Sequence, residues 1–265
     1  MSCADLHRDV PLDFDSSELK PPSRWQLLRE GRVVFERLAL SAMLDRIRSE
    51  APRGHGEPIM VVPGFATDDS WTARLVGFLS SIGYRAVGWG LGRNRGNVPK
   101  LIPAVVEAAD SLALKDGQQV RLIGWSLGGY LAREAARERP DVAERVITLG
   151  SPVVGGPKFT ASASMYIRRG YDLDEIAAAV VEREDVPIQV PVFAVYSRSD
   201  GVVAWRACID RFDNPRVEHH EVRASHLGMV SSPHVFRLVA DLLERVPRVR
   251  QAKPGEGGRD DVSQR

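Results

Sequence analysis

Residues 120 to 130 read Val-Arg-Leu-Ile-Gly-Trp-Ser-Leu-Gly-Gly-Tyr, and the fold turns on how that stretch is parsed. An apolar run, Val120 to Trp125, ends in Gly124-Trp125-Ser126-Leu127-Gly128, and an amphipathic stretch, LGGYLAREAARE (127–138), follows at once. Strand, tight turn and helix in that order make a GxSxG nucleophile elbow. The glycines answer a steric need: so sharp a turn forces the serine into a strained backbone and brings neighbouring turns too close for flanking side chains, and Gly129 relaxes the packing further. The Ser126 hydroxyl is thereby pushed out at the top of a sheet, over a helix N-terminus that favours developing negative charge. Alone the pattern is weak. At such Gly and Ser frequencies about one chain in ten carries it by accident, as an ordinary helix-start turn.

The same rhythm repeats on either side. IMVV (59–62) leads into WTARLVGFLSSIG, and YRAVGWG (84–90) into PKLIPAVVEAADSLAL. RVITLG (145–150), VPVFAVYS (190–197) and VEHHEVRA (217–224) are further strand-like runs, and PHVFRLVADLLERV supplies a last amphipathic helix. Short buried strands alternating with helices predict an α/β domain: a mostly parallel sheet of about six strands with helices on both faces. Upstream, Trp25, Leu28, Val34, Phe35, Leu38, Met43, Leu44 and Ile47 recur at mostly helical spacing, so a long helix, whole or broken at Gly31, is expected to pack outside the core. Residues 152–187 break the rhythm, separating two predicted strands by far more than a usual connection. They are read as a cap or lid, in which Met165, Tyr166, Ile167 and Tyr171 either line an acyl pocket or simply pack the insertion down. Residues 1–23 and 247–265 are expected to be flexible ends of a single domain, 24–246.

A serine hydroxyl is a poor nucleophile until a histidine can take its proton and a carboxylate can hold that histidine. Asp200, in Ser197-Arg198-Ser199-Asp200-Gly201, follows VPVFAVYS, and His226 follows VEHHEVRA. Both fall at carboxyl ends of strands, the edge where open α/β sheets bind ligands. Singly neither decides anything, because Asp-Gly is a common turn. Position separates them from their competitors. His219 and His220 lie inside a strand with side chains on opposite faces, His234 opens a helix, and His7 and His55 precede the first core strand. Among the acids, Asp172 and Asp174 lie in the cap, Asp210 and Asp213 in a later loop and Glu221 in a strand; Asp210 is the second choice after Asp200.

Acyl-transfer chemistry also needs two N–H donors for an oxyanion, one from the residue after the nucleophile and one from the loop after the first core strand. Leu127 is the first. In Val62-Pro63-Gly64-Phe65-Ala66-Thr67, Pro63 has no N–H and Gly64 permits a sharp turn, which leaves Phe65 as the second; the plainer reading is a core aromatic whose amide closes a turn. His55-Gly56 has the look of an oxyanion dipeptide but precedes the strand. Arg93 and Arg95, after the second strand, either meet an anionic head group or are solvated arginines in a glycine turn. Trp125 and Trp205 flank these positions and read equally well as core.

A strand ending in Pro63-Gly64-Phe65, then GWSLGG (124–129), SDGVV (199–203) and SHLG (225–228), spread over residues 57–246 in the order Ser, Asp, His, together resemble the α/β-hydrolase superfamily, and within it the small bacterial lipase-like and esterase-like proteins. The resemblance implies the α/β-hydrolase fold with its sheet reduced to about six strands, a short cap insertion and no cofactor. It implies hydrolysis of carboxylic esters through an acyl-serine intermediate: Ser126 as nucleophile, His226 as base, Asp200 orienting it, and the Phe65 and Leu127 amides holding the oxyanion. Proline rather than histidine precedes the oxyanion glycine, a departure from the usual lipase pattern that speaks against triglycerides. A thioesterase or acyltransferase would use the same triad, since nothing in it chooses the leaving group or the acceptor. A non-catalytic binding protein would have no need of all three residues. Serine at the elbow disfavours dehalogenases and epoxide hydrolases, which place Asp there, and polyester synthases, which commonly place Cys.

Composition bounds the partners. In 265 residues, 36 Lys plus Arg stand against 35 Asp plus Glu, so no global field draws nucleic acid or an anionic membrane. Cys3 and Cys208 are too few and too dispersed for a disulfide framework or a Cys-based metal site. The start, MSCADLHRDVPLDFD, has no apolar h-region, and no run approaches the roughly 18 apolar residues of a membrane span. The expectation is a cytoplasmic protein acting on a small ester or acyl substrate of moderate hydrophobicity, without nucleic acid, membrane span, cofactor or metal; composition leaves its oligomeric state open.

Overall fold

The computed structural model describes residues 19–212 and 214–245. Cys3, His7, Asp213 and the two expected flexible ends, apart from residues 19–23, lie outside that range. Six strands, β1 (Pro58–Val62), β2 (Arg85–Gly88), β3 (Val120–Trp125), β4 (Ala143–Leu149), β5 (Val192–Tyr196) and β6 (Val217–Glu221), form one sheet in the order β2-β1-β3-β4-β5-β6. Every neighbouring pair is parallel. The inner strands β1 and β5 are apolar and buried at every position because both faces are covered, whereas the edge strand β2 exposes Arg85 and Val87.

Among the described residues eight helices accompany the sheet: α1 (Arg24–Leu28), α2 (Val33–Glu50), α3 (Asp69–Ser81), α4 (Val98–Asp116), α5 (Leu127–Glu138), α6 (Ala163–Arg168), α7 (Leu173–Glu184) and α8 (Pro233–Glu244). Alternation along the strands divides the core in two. Ile59 and Val61 of β1, with Ile123, Ile147 and Phe193, face α2, α3 and α8 through Leu40, Ile47, Leu75, Phe78, Val235 and Phe236. Met60 and Val62, with Leu122, Val146 and Val192, face α4 and α5 through Ile102, Val105, Leu131 and Ala135.

The N-terminal segment is helical and broken at Gly31, one of the two forms its spacing allows, but many of its apolar positions do not face inward. A capping box from Ser23 and Gln26 starts α1, a 3-10 turn at Arg29–Arg32 containing Gly31 breaks the helix, and α2 follows. Leu40 and Ile47 are buried, and Met43 and Leu44 pack against the core. Trp25, Leu28, Val34, Phe35 and Leu38, however, face solvent. At this end of the segment the inward positions belong to two acids, Glu30 and Glu36, whose carboxylates accept main-chain N–H groups from loops of the sheet edge. A satisfied carboxylate can occupy an inward position that hydrophobic patterning would reserve for an apolar side chain.

Between β4 and β5 the chain forms a 3-10 turn at Gly156–Phe159 followed by α6 and α7. An isolated antiparallel bridge, Thr160 to Val203, fastens this segment to the loop after β5, and Val153 and Val154 pack on the buried Leu19. Among the described residues no helix is long and apolar enough to cross a membrane.

Candidate active site

Strands β3, β4, β5 and β6 end side by side, and their carboxyl-terminal loops carry Ser126, Gly150, Asp200 and His226. Ser126 sits between β3 and α5 at φ 55° and ψ −126°, a conformation that L residues rarely adopt. What enforces it is close packing. A Cβ on Gly124 would collide with the Gly128 carbonyl and the Gly129 Cα, and one on Gly128 with the Val62 and Pro63 carbonyls. The turn can therefore be made only with glycines at those places, and the Ser126 N–H is held by the Leu149 carbonyl at 2.8 Å.

Asp200 and His226 are both buried, at 3 % exposure each, and His226 Nδ1 meets Asp200 Oδ2 at 2.7 Å. The other carboxylate oxygen accepts the Val202 and Val203 N–H groups at 2.8 and 2.7 Å, which fixes the orientation of the acid. Facing a carboxylate, Nδ1 carries the proton and Nε2 keeps the lone pair. Burial by itself depresses the imidazole pKa, but the Asp200 charge, its hydrogen bond and the Glu30 charge outweigh it, so the His226 pKa lies above its ordinary value.

The β6 end lies three strand spacings from the β3 end, roughly 14 Å, so His226 has to be drawn back across the sheet edge. Several bonds do this. The Val222 N–H donates to the Tyr196 carbonyl, and the Ala224 N–H to Ser197 Oγ. Trp125 Nε1, next to the nucleophile in sequence, donates to the His226 carbonyl at 3.1 Å, and the two rings lie 5.6 Å apart. Trp125 is thus both a core residue and a tie to His226; Trp205 stacks on Tyr196 behind the Asp200 loop.

The loop after β1 approaches from the other side. Among the described residues, the Phe65 and Leu127 N–H groups meet no acceptor, although their neighbours do: Ala66 donates to Asn94 O, Thr67 to Gly64 O and Gly129 to Ser126 O. Ala66, at φ 62°, is with Ser126 the only non-glycine residue of positive φ among those described. A buried asparagine holds this loop in shape. Asn94 Nδ2 donates to Pro63 O at 2.9 Å, its Oδ1 accepts from Gly96, and its main chain exchanges bonds with Ala66 and Thr67. Arg93 donates to the Ala66 carbonyl at 2.8 Å. Asn94 escaped sequence reasoning because a glycine-rich loop gives no hint of which side chain turns inward.

A cavity of about 410 Å³ is lined by Ser126, Leu127 and Phe65, with Ile102, Tyr130, Tyr166, Ile176 and Val180. Tyr166 stacks on Phe65 with ring centroids 4.4 Å apart, and Tyr171 also lines the cavity, whereas Ile167 is exposed. A second cavity of about 440 Å³ lies around Arg133, Arg137, Asp210 and Arg211 and contains none of the site residues. Asp210, the rival acid, is engaged there: it pairs with Arg133, its Oδ2 lies 3.2 Å from His219 Nε2, and its main-chain N–H donates to that same nitrogen at 3.1 Å; its partner is His219, not His226. His55 is exposed in the loop before β1, away from this edge.

No protein-family model matches the sequence, and no curated protein matches it. Solved structures do match in shape. A Bacillus licheniformis lipase in its mature form aligns with 73% of this chain and 94% of its own at 16% identity and a TM-score of 0.56. A monoacylglycerol lipase of Paleococcus ferrophilus aligns with 73% of this chain and 98% of its own at 15% identity and a TM-score of 0.51. Lipase B of Aspergillus fumigatus aligns over 74% of this chain at 17% identity and a TM-score of 0.52, and this chain spans 55% of its length. At such identities the likeness is one of architecture, and the architecture of this chain, six parallel strands with helices on both faces and a strand-turn-helix serine, is the α/β-hydrolase fold.

Proposed function

We propose that the protein is a serine hydrolase that cleaves carboxylic esters. The observation that carries the reading is Ser126 at φ 55° between two acceptor-free N–H groups, at a sheet edge that also bears the buried His226–Asp200 pair. In this reading His226 Nε2 takes the Ser126 proton as Oγ attacks the acyl carbonyl, and the Phe65 and Leu127 amides receive the oxyanion. Asp200 keeps the imidazole in the required tautomer and stabilises its cation. Collapse of the tetrahedral intermediate passes the proton to the departing alkoxide, leaving an acyl-serine that water, deprotonated by the same histidine, hydrolyses to the acid. The apolar and aromatic lining of the cavity supports an acyl group of moderate hydrophobicity, with residues 152–187 as its cap.

The test is reaction with a fluorophosphonate probe followed by peptide mapping. Label on Ser126, abolished by Ser126→Ala and slowed by His226→Ala and Asp200→Asn with losses far from additive, is expected. Label elsewhere, or none on the folded protein, overturns the proposal.

A further inference from the structure

Glu30 lies in the 3-10 turn between α1 and α2, outside the sheet, yet it is buried at 6 % exposure. Its Oε1 accepts the Gly201 N–H at 2.8 Å and the His226 N–H at 2.9 Å, and its Oε2 accepts the Leu227 N–H at 2.9 Å. Gly201 directly follows Asp200. One carboxylate thus bridges the loop that carries the acid and the loop that carries the histidine. Among the described residues it has no cationic partner, so the three N–H dipoles are what satisfy its charge. The fit is close, since a Cβ on Gly201 would run into the Gln26 carbonyl and Glu30 Oε1. From α2, Glu36 accepts the Ser225 N–H at 2.9 Å, and the Ser225 hydroxyl, and so holds the residue before His226.

We propose that Glu30 is a positioning residue for the Asp200–His226 pair: by tying the β5 loop to the β6 loop it sets the separation that their hydrogen bond requires. The inference rests on the serine-hydrolase reading above. Glu30 acts on the histidine electrostatically as well. The charged groups that face the His226 imidazole are Asp200 from the β5 loop and Glu30 from the N-terminal turn; Trp125 and Gly150, from the β3 and β4 ends, are neutral. Glu36 stands one residue behind, at Ser225, and the neutral, deeply buried Cys208 thiol faces Asp200. A second negative charge favours the imidazolium, so its removal makes His226 easier to deprotonate.

The experiment is the rate of fluorophosphonate labelling against pH, for wild type, Glu30→Gln, Glu30→Asp and Gly201→Ala. Glu30→Gln is expected to lower the plateau rate roughly ten- to a hundredfold and to move the acid limb to lower pH. Glu30→Asp keeps the charge and leaves the limb near its wild-type place. Gly201→Ala, which presses the tie apart with the charge intact, slows labelling with the limb unmoved. A merely structural role would lower the melting temperature without displacing the limb. Labelling of Glu30→Gln at the wild-type rate and with the wild-type profile overturns the inference, and if that variant does not fold, wild-type rates in both Glu30→Asp and Gly201→Ala do the same. Wild type that is not labelled at Ser126 refutes the hydrolase reading instead.

Discussion

Ser126 is held at φ 55° and ψ −126°, a backbone that a Cβ makes costly and that glycine adopts freely. Strain of this kind is worth about 1 to 3 kcal/mol, and glycine returns part of the gain through the greater freedom of the unfolded chain. Ser126→Gly is therefore expected to be more stable than Ser126→Ala by about 1 kcal/mol in denaturant melts, with both unreactive toward the probe. At this scale the sequence was informative about candidate side chains at strand ends and silent about those that make main-chain bonds. Ser126, Asp200 and His226 could be picked out as candidates because each follows closely on a strand and their order matches a known constellation, and the fold brings all three to one sheet edge. Asn94 and Glu30 are not, because what they hold are amides and carbonyls of residues far along the chain, and main-chain groups are the same at every position.

Between elements, the tie with the clearest energetic consequence joins α5 to the loop before β6 through Arg133, Asp210 and His219. Burial would raise the Asp210 carboxyl, but Arg133 and His219 outweigh it and hold its pKa at about 2, below the ordinary 3.8. Because the folded-state value is the lower one, this contribution to stability is complete above the ordinary carboxylate range and is lost as the pH falls from about 4 toward about 2. Asp210→Asn should remove that part of the acid sensitivity and, by stranding the buried Arg133 charge, destabilise the protein at neutral pH by about 3 to 5 kcal/mol. The folded fraction should still label at Ser126, which separates this acid from Asp200. Strands were the easiest elements to read, since apolar runs buried on both faces differ sharply from what flanks them; β3 matches its run residue for residue. The segment from Trp25 to Ile47 was harder, because periodicity marks a helix without saying that two carboxylates would take inward positions.

Over the whole molecule the two sides of α2 make opposite contributions. Phe35 and Leu38 are 73% and 63% exposed, whereas Leu40 is fully buried in the core shared with α3 and α8. Phe35→Gln combined with Leu38→Gln is expected to leave stability within about 0.5 kcal/mol of wild type, whereas Leu40→Ala should cost about 2 to 5 kcal/mol, both measured by denaturant unfolding. The Glu30 tie also has a consequence in time. Glu30 lies 171 residues before Gly201 and 196 before His226, so it is synthesised early and its partners late. By the end of β4 the nascent chain already contains the elbow, Asn94 and the donor loop, but the carboxylate that will brace the histidine has nothing yet to hold. Reactivity toward the probe should accordingly appear in a single late step of translation, once the strand order has closed through β6, and a ribosome-bound chain stopped before that strand should carry the serine without its reactivity.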